Sequence, residues 1–277
     1  FQERVATPLG LSLAEAAYGA HLIAASNMMR AIRAVSSERG RDPREYALFA
    51  FGGNGPLFAA GMARALEMTR VVVPPAPGLF SAFGLLYSEV EHHYVRTWRR
   101  PARGLDPAEL ADAFGRLEDE ARRQLAAEGF TGAAVRIAHS ADCRYQGQSF
   151  ELTVTVTAGA SIEEGVGGGH EGTYGHRPGA GEAVETVSLR GRGQGVSDRP
   201  RVPERVQIGR GPGTLGGSRR VYFGQRDGWI VTPVLTRGDL RTPRDGPAII
   251  EEYDATCVVP PGARAALDVS GNIVMEV

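Results

Sequence analysis

The chain has 277 residues, of which 42% are hydrophobic and 23% are charged, and its formal net charge is −1 at pH 7. This length predicts one large domain or two ordinary ones, and the composition excludes disordered and fibrous proteins. The near-neutral charge argues against a nucleic-acid or membrane-surface partner.

Arginine accounts for all 31 basic residues, because the sequence contains no lysine. The chain therefore supplies no P-loop lysine, no Schiff-base lysine and no lysine general base. Any chemistry in it must use carboxylates, histidines, hydroxyls, arginines or backbone groups.

The cysteines and the first residues bear on the setting of the protein. Cys143 and Cys257 lie far apart and form no metal-spaced pair, so we expect two free buried thiols in a reducing cytoplasm. No apolar run approaches the roughly 20 residues of a membrane helix, and the residues after Phe1 do not resemble a signal peptide. The missing initiator methionine is compatible with a fragment of a longer subunit.

The first hundred residues predict an α/β region. Ser12 and Glu15 form a capping box in front of a long helix, which we expect Gly40 to end. The apolar run 46–51 has the length of a strand and predicts a fully buried one. Further predicted elements are a glycine loop at 52–56, a helix at 57–66, a buried strand at 71–73 and a short helix at 81–89. Strand, loop, helix and strand form a βαβ unit, which implies a parallel strand pair.

The sequence changes character near residue 100. Asp106 and Pro107 begin an amphipathic helix that Gly129 ends. Beyond it, strands are predicted at 135–145, 150–156, 185–191, 219–223, 229–234, 248–252 and 256–259. We therefore predict an α/β domain over 1–100, followed by a strand-rich α+β domain over 101–277.

The glycine loop Gly52-Gly53-Asn54-Gly55-Pro56 is the first candidate site. It joins the carboxyl end of a predicted strand to the start of a helix, where α/β proteins bind ligands. Glycines there let a base or sugar approach the backbone without a Cβ in the way. The spacing is neither G-x-G-x-x-G nor a Walker sequence, which excludes a dinucleotide fingerprint and a P-loop. An ordinary tight turn is the alternative.

Three other features suggest a function less directly. Histidines at 92, 93, 170 and 176 lie near glutamates, but adjacent strand residues point to opposite faces, so we predict no metal site. The arginine- and glycine-rich segment 190–220 superficially resembles RNA-binding segments, yet it lacks interleaved aromatics and is expected to be a long exposed connection. The acidic group 251–254 could bind a cation or a partner, with a solvated strand end as the alternative.

Three blocks of the sequence together carry a family resemblance. The segment 47–57 reads Ala-Leu-Phe-Ala-Phe-Gly-Gly-Asn-Gly-Pro-Leu and resembles A-F-G-G-x-G-P-L, a signature of the hydantoinase A/5-oxoprolinase family. Residues 144–152 resemble the R-Y-x-G-Q-x-F-E-L block of the family, and residues 246–254 with 259–262 resemble its C-terminal block. The blocks follow in the family's order over nearly the whole chain, which makes the resemblance specific.

This resemblance implies part of an actin-like ATPase lobe, followed by a strand-rich domain specific to the family. Family members couple ATP hydrolysis to the opening of cyclic amides such as hydantoin, N-methylhydantoin or 5-oxoproline. Their chemistry is phosphoryl transfer to an amide or enolate oxygen. By the resemblance, Gly52, Gly53 and Asn54 contact the adenosine, while Gly55 and Pro56 shape the turn.

The family's phosphate and magnesium motifs, of the D-x-G-G-T type, belong to its N-terminal half and do not occur in this sequence. The resemblance therefore implies the C-terminal part of a hydantoinase A-type subunit, with ATP and Mg²⁺ acting in the full-length parent. The fragment alone, without catalytic or metal-binding residues, is expected to be inactive. Expected partners are the missing N-terminal half, a hydantoinase B-type subunit and a cyclic amide substrate. The alternatives are an ATP-using subunit of an acetone or acetophenone carboxylase and a non-catalytic assembly module.

Overall fold

A computed structural model describes residues 1–157, 161–177, 179, 182–196 and 216–277. The helices in these residues are α1 (Leu13–Val35), α2 (Gly55–Ala65), α3 (Phe80–Leu85), α4 (Pro107–Ala127) and α5 (Ile162–Tyr174). The strands are β1 (Leu48–Phe49), β2 (Arg70–Val73), β3 (Val90–Pro101), β4 (Val135–Tyr145), β5 (Leu152–Thr155), β6 (Val184–Gly195), β7 (Ser218–Tyr222), β8 (Trp229–Leu235), β9 (Arg244–Asp245), β10 (Ala248–Glu251), β11 (Thr256–Val259), β12 (Arg264–Leu267) and β13 (Ile273–Glu276). Short 3₁₀ turns include Ser37–Arg39, Pro77–Leu79 and Arg237–Arg241.

The chain divides into two compact units. The first unit combines residues 1–86 with 202–277, and the second unit comprises residues 87–201. This division differs from the predicted ranges 1–100 and 101–277. The reason is long-range strand pairing: the strands near the C-terminus complete the sheet that β2 begins.

In its described residues, the first unit contains two sheets. One has the strand order β1-β2-β13-β12-β9 and the other the order β11-β10-β8-β7. β1 and β2 are parallel, as the βαβ pattern predicts, and β13 pairs with the other edge of β2 in the antiparallel direction. The core of this unit is formed by buried side chains of both sheets and of α2, including Ala59, Ala63, Val71, Val73, Ile250, Val259, Ile273 and Met275.

The strand before the glycine loop is shorter and more exposed than its apolar run predicts. β1 has only two residues, and Phe49 and Phe51 are each 45% exposed. Within the described residues β1 is an edge strand, with a paired neighbour on one side only. Both phenylalanines contact Phe80, with ring centroids 5.3 and 5.4 Å apart. The prediction of a fully buried strand is wrong, because an apolar run does not distinguish the edge of a sheet from its centre.

The predicted N-terminal caps are confirmed, whereas the predicted end of α1 at Gly40 is wrong. The backbone N–H of Glu15 donates to Ser12 Oγ at 3.2 Å, and the N–H of Ser12 donates to Glu15 Oε2 at 3.0 Å. α1 ends before a short 3₁₀ turn, and Gly40, with φ of 70°, closes that turn rather than the helix itself. Asp106 caps α4 through a first-turn N–H, which its carboxylate accepts at 2.9 Å.

The second unit is a four-stranded antiparallel sheet with α4 packed on one face. The strand order is β3-β6-β4-β5, so the long strand β6 pairs with β3 on one side and with β4 on the other. α4 turns an apolar stripe to this sheet and leaves a charged face outward, as its sequence predicts. The buried residues of the stripe are Phe114, Leu117, Ala121 and Leu125.

The arginine- and glycine-rich segment 190–220 is not an exposed connection at either described end. Residues 190–195 complete β6 and residues 218–220 begin β7, while residues 197–215 lie outside the described residues. Alternate glycines of β6 are buried next to α4: a Cβ on Gly193 would lie 2.8 Å from the Cβ of Ala121. The glycines thus let the helix approach the strand closely, and Arg192 and Gln194, which alternate with them, point to the other face.

Candidate functional site

Three turns of the first unit meet at the carboxyl ends of β1 and β2. They are the glycine loop 50–55 after β1, the turn 74–79 after β2, and the acidic turn 252–255 between β10 and β11. The N–H of Gly52 donates to the carbonyl of Pro77 at 2.6 Å, and the N–H of Leu79 donates to Asp254 Oδ2 at 3.2 Å. Ligands of open α/β sheets bind at this end of parallel strands, so the meeting point of these turns is the candidate site.

Close backbone approach explains two of the glycines. Gly52 has φ of +82°, a conformation that other residues rarely adopt. A Cβ on Gly78 would lie 2.5 Å from the backbone oxygen of Asp254, so only glycine lets the acidic turn come this near. Ala76 also adopts a left-handed conformation, with φ of 47°. The site is therefore built on backbone that most side chains would disturb.

The residues predicted for the site, Gly52, Gly53, Asn54 and Gly55, all lie in the loop between β1 and α2. Asn54 precedes the helix without a side-chain capping bond, and Gly55 is its first residue. A Cβ on Gly53 would meet only the backbone oxygen of Asp254, at 3.6 Å, an ordinary contact distance. The acidic turn thus packs against Gly53 at a distance that a Cβ at this position would not disturb.

Sequence reasoning missed the other two turns as parts of this site. The sequence presents the acidic group 251–254 as a separate candidate, and it gives the Pro-Gly turn after β2 no predicted role. The available signal was that Pro77-Gly78 follows the second strand of a βαβ unit, whose carboxyl end must lie beside that of the first. Nothing local to Asp254 indicates that it lies beside Leu79.

Arg237 ties the acidic turn to the end of β2. Its guanidinium donates to both carboxylate oxygens of Glu252, at 2.5 and 2.7 Å. It also donates to the carbonyls of Val73, Pro74 and Gly271, at 3.2, 2.8 and 2.7 Å. The two charged side chains are only 16% and 11% exposed. This set of contacts, called the Arg237 network below, fixes the relative positions of two turns of the site.

The charge at the site suits an uncharged ligand group. The three turns contain no arginine, histidine or lysine, whereas they carry the carboxylates of Glu252 and Asp254. Phosphate groups bind where backbone N–H groups and cations point at their oxygens, and Mg²⁺ needs several oxygen ligands. The guanidinium of Arg237, which reaches two of the turns, is already paired with Glu252, so these turns do not provide the surroundings that a triphosphate with its Mg²⁺ requires.

The histidines of the second unit make separate contacts. Nε2 of His92 lies 2.8 Å from Glu128 Oε2, whereas Nε2 of His93 lies 2.7 Å from Glu91 Oε1. Nδ1 of His170 lies 2.9 Å from the backbone oxygen of another histidine. Across residues 1–157, 161–177, 179, 182–196 and 216–277, no group of three or more His, Cys, Asp or Glu side chains could hold a metal ion.

A buried carboxylate stabilises the sheet of the second unit. Asp142 accepts hydrogen bonds from Thr153 Oγ1, Ser188 Oγ and Arg190 Nε, at 2.7, 2.5 and 2.7 Å. Burial raises the pKa of Asp142, but the three hydrogen bonds and the arginine charge outweigh it, so the pKa lies below its usual 3.8. The group is ionised and fully bonded near neutral pH, which indicates a structural role.

Both cysteines are buried and free, and burial raises the pKa of each thiol to about 12. Neither is therefore a reactive thiolate.

In the part of the chain that the structure describes, no helix is both long enough and apolar enough to cross a membrane.

The fold and the site define an α/β protein with a candidate ligand-binding loop at the carboxyl ends of parallel strands. The model of the hydantoinase/oxoprolinase family matches residues 1–94, and the model of the hydantoinase/oxoprolinase C-terminal domain matches residues 102–273. The chain therefore belongs to the hydantoinase/oxoprolinase family.

Three relatives illustrate the range of the family. An uncharacterized protein of Methanocaldococcus jannaschii is 32% identical over 276 residues, which cover 99% of this chain and 39% of that protein. Caprolactamase subunit alpha of Pseudomonas jessenii is 28% identical, over 98% of this chain and 41% of its own length. Acetophenone carboxylase gamma subunit of Aromatoleum aromaticum is 28% identical, over 99% of this chain and 40% of its own.

A solved structure shares the fold. The crystal structure of ATP-dependent caprolactamase from Pseudomonas jessenii superposes with a TM-score of 0.77 at 28% identity, over 99% of this chain and 42% of that one. The chain thus spans between 39% and 42% of the length of the proteins it matches here.

Proposed function

We propose that this chain is the C-terminal part of an ATP-dependent hydantoinase or oxoprolinase A subunit. The full-length parent would open a cyclic amide, such as hydantoin, N-methylhydantoin or 5-oxoproline, with hydrolysis of ATP. Membership of the family and the likeness to an ATP-dependent caprolactamase support this proposal, because a lactam is also a cyclic amide. A coverage of about two fifths of the relatives supports a partial chain.

The contribution of this chain would be to bind the nucleoside end of ATP, as part of an actin-like ATPase lobe. Gly52, Gly53 and Asn54 would contact the adenosine, with Gly55 opening the helix behind them. The observation that carries this role is the glycine backbone at the carboxyl ends of two parallel strands, in turns whose neighbouring guanidinium, that of Arg237, is already paired with Glu252.

The phosphates and Mg²⁺ would be held by residues outside this chain. When bound, ATP supplies the phosphoryl group that converts an amide oxygen into a better leaving group. Stabilising the charge of that transfer requires Mg²⁺ and donors aimed at the phosphoryl oxygens. Since the three turns offer neither, the isolated chain is expected to be inactive, and the missing N-terminal half and a B-type subunit are its proposed partners. Two buried free thiols favour a reducing cytoplasm.

The test is an assay of the complete A subunit together with its B-type partner. ADP release should rise in the presence of a hydantoin, 5-oxoproline or a related lactam, and the ring-opened product should form in proportion. The 277-residue chain alone, prepared in the same way, should show no Mg²⁺-dependent turnover above background. Turnover by the chain alone would contradict the proposed division of labour.

A carboxylase subunit is the second candidate function. The observation in its favour is the acetophenone carboxylase gamma subunit, which matches this chain over as much of its length as the caprolactamase does. The same assay separates the two functions, because a carboxylase would release ADP with a ketone and bicarbonate rather than with a cyclic amide.

A further inference from the structure

Asp254 borders any ligand that lies on Gly53. The side of Gly53 where a Cβ would stand is turned toward the acidic turn, with the backbone oxygen of Asp254 3.6 Å from that position. The second glycine contact of Asp254, with Gly78, draws the same turn against the other strand end. Asp254 therefore packs directly against the glycine loop, and a molecule bound on that loop lies close to it.

The carboxylate of Asp254 is held in one orientation by a hydrogen bond to one of its two oxygens. Its Oδ2 accepts the N–H of Leu79 at 3.2 Å, which fixes the orientation of the side chain. No other partner of this carboxylate is found among the described residues, so Oδ1 has its lone pairs available. Glu252 differs, because Arg237 engages both of its carboxylate oxygens.

The charge of Asp254 selects which part of a nucleotide can lie here. A carboxylate repels phosphate oxygens, and the guanidinium of Arg237, which reaches two of these turns, is already paired with both carboxylate oxygens of Glu252. A ribose, in contrast, presents two neighbouring O–H donors, and hydrogen bonds from a hydroxyl to a carboxylate are short and strong. In dinucleotide-binding folds an acidic residue close to a glycine loop plays this part for the 2′-hydroxyl.

We propose that Asp254 accepts a hydrogen bond from a ribose hydroxyl of the nucleotide on the glycine loop. Oδ1 is the accepting atom, while Oδ2 keeps its bond to Leu79. The inference rests on the proposed function, since it assumes that the loop binds a nucleotide, and it adds the residue that distinguishes ribose from a sugar without hydroxyls.

The experiment is a calorimetric titration of the complete subunit with ATP and with 2′,3′-dideoxyATP. Wild-type protein should bind ATP at least about tenfold more tightly than the dideoxy nucleotide, as expected for hydrogen bonding to a charged group. Asp254→Ala should lose that preference by weakening ATP alone. Asp254→Asn retains an acceptor for the N–H of Leu79, so it should fold normally and still show a reduced preference. Glu251→Gln, which removes a carboxylate paired with Arg219 of β7 in the same sheet, is the matched control and should keep the preference.

Two results would overturn the inference. If both Asp254 variants weaken ATP and dideoxyATP equally, with the preference retained, Asp254 only positions the turns. If ATP affinity is unchanged in both, Asp254 does not touch the nucleotide. Failure of wild-type protein to bind either nucleotide would instead remove the proposed function, so the two failures are distinguishable.

Discussion

Replacing Arg237 by methionine tests whether the Arg237 network holds the first unit together. Methionine fills a similar volume but supplies none of the five hydrogen bonds, so Glu252 would remain as a charge that is only 11% exposed. Removing one partner of a buried ion pair typically costs about 3–5 kcal/mol, because the other charge is left uncompensated. Three backbone carbonyls, those of Val73, Pro74 and Gly271, would lose their donor as well. We therefore expect the free energy of unfolding to fall by about 3–5 kcal/mol.

Amide hydrogen exchange measures the loss of stability in the sheet next to the Arg237 network. Amides of β2 and β13, in the sheet next to the network, should lose protection in Arg237→Met, whereas amides of β4 and β6 serve as an internal control in the second unit. The double variant Arg237→Met, Glu252→Met should recover part of the loss, because it removes the stranded charge. A loss below about 1 kcal/mol, or a double variant as unstable as the single one, would refute the reasoning.

Three further changes test the glycine loop and the second unit. In the complete subunit, Gly53→Val should weaken ATP binding at least tenfold, because branched methyls would occupy the space of the nucleoside, and calorimetry measures the affinity. Gly193→Val should lower the stability of the second unit by about 1–3 kcal/mol in denaturant unfolding, since even its Cβ would lie 2.8 Å from that of Ala121. Because the pKa of Asp142 is lowered, the stability that this group contributes should be present above about pH 3.8 and lost as the pH falls through the folded-state pKa. Asp142→Asn should therefore make the free energy of unfolding less dependent on pH in acid.

Each of these changes has a control and a result that would count against it. Gly53→Ala, whose Cβ meets only an ordinary contact, should leave the melting temperature close to that of wild type. An unchanged ATP affinity in Gly53→Val with a lowered melting temperature would mean that the loop is only a tight turn. Gly172, where a Cβ meets nothing within 4 Å, is the control for Gly193. Equal acid sensitivity of wild type and Asp142→Asn would exclude the stated role of this carboxylate.

Local patterns predicted the parts of this fold that local energetics determine. The capping box at Ser12, the start of α4 at Asp106 and the parallel pair around the glycine loop depend on neighbours in sequence, and the structure contains all three. The apolar run 46–51 gave a wrong prediction of full burial, because the burial of a strand depends on how many strands flank it. The run itself carries no information about its neighbours. The glycines of β6 led to the wrong prediction of an exposed connection for a related reason. Their role is to accommodate side chains of α4, which are distant in the sequence.

The candidate site was predicted in part. The residues Gly52 to Gly55 lie where a ligand loop of an α/β sheet should lie, because strand–loop–helix order fixes that position. The contacts of Asp254 with Gly78 and Leu79 join segments that are about 175 residues apart, and no local pattern reports such a pairing. The Arg237 network cannot be predicted from the sequence either, because its partners are distant along the chain. Its carbonyl partners are also backbone groups that every residue carries.

The pairing of β13 with β2 has a consequence for how the protein is made. Strands that pair across about 200 residues cannot meet until the ribosome has synthesised the later one, which at bacterial elongation rates takes on the order of ten seconds. During that interval Arg70–Val73 exposes an unpaired edge rich in valine, the kind of segment that pairs with other chains. The second unit, whose four strands lie within residues 90–195, can fold during the same interval. Early termination before Ile273 would therefore leave a folded second unit joined to an incomplete, aggregation-prone sheet. A chaperone that holds unfolded chains would be expected to bind at β2.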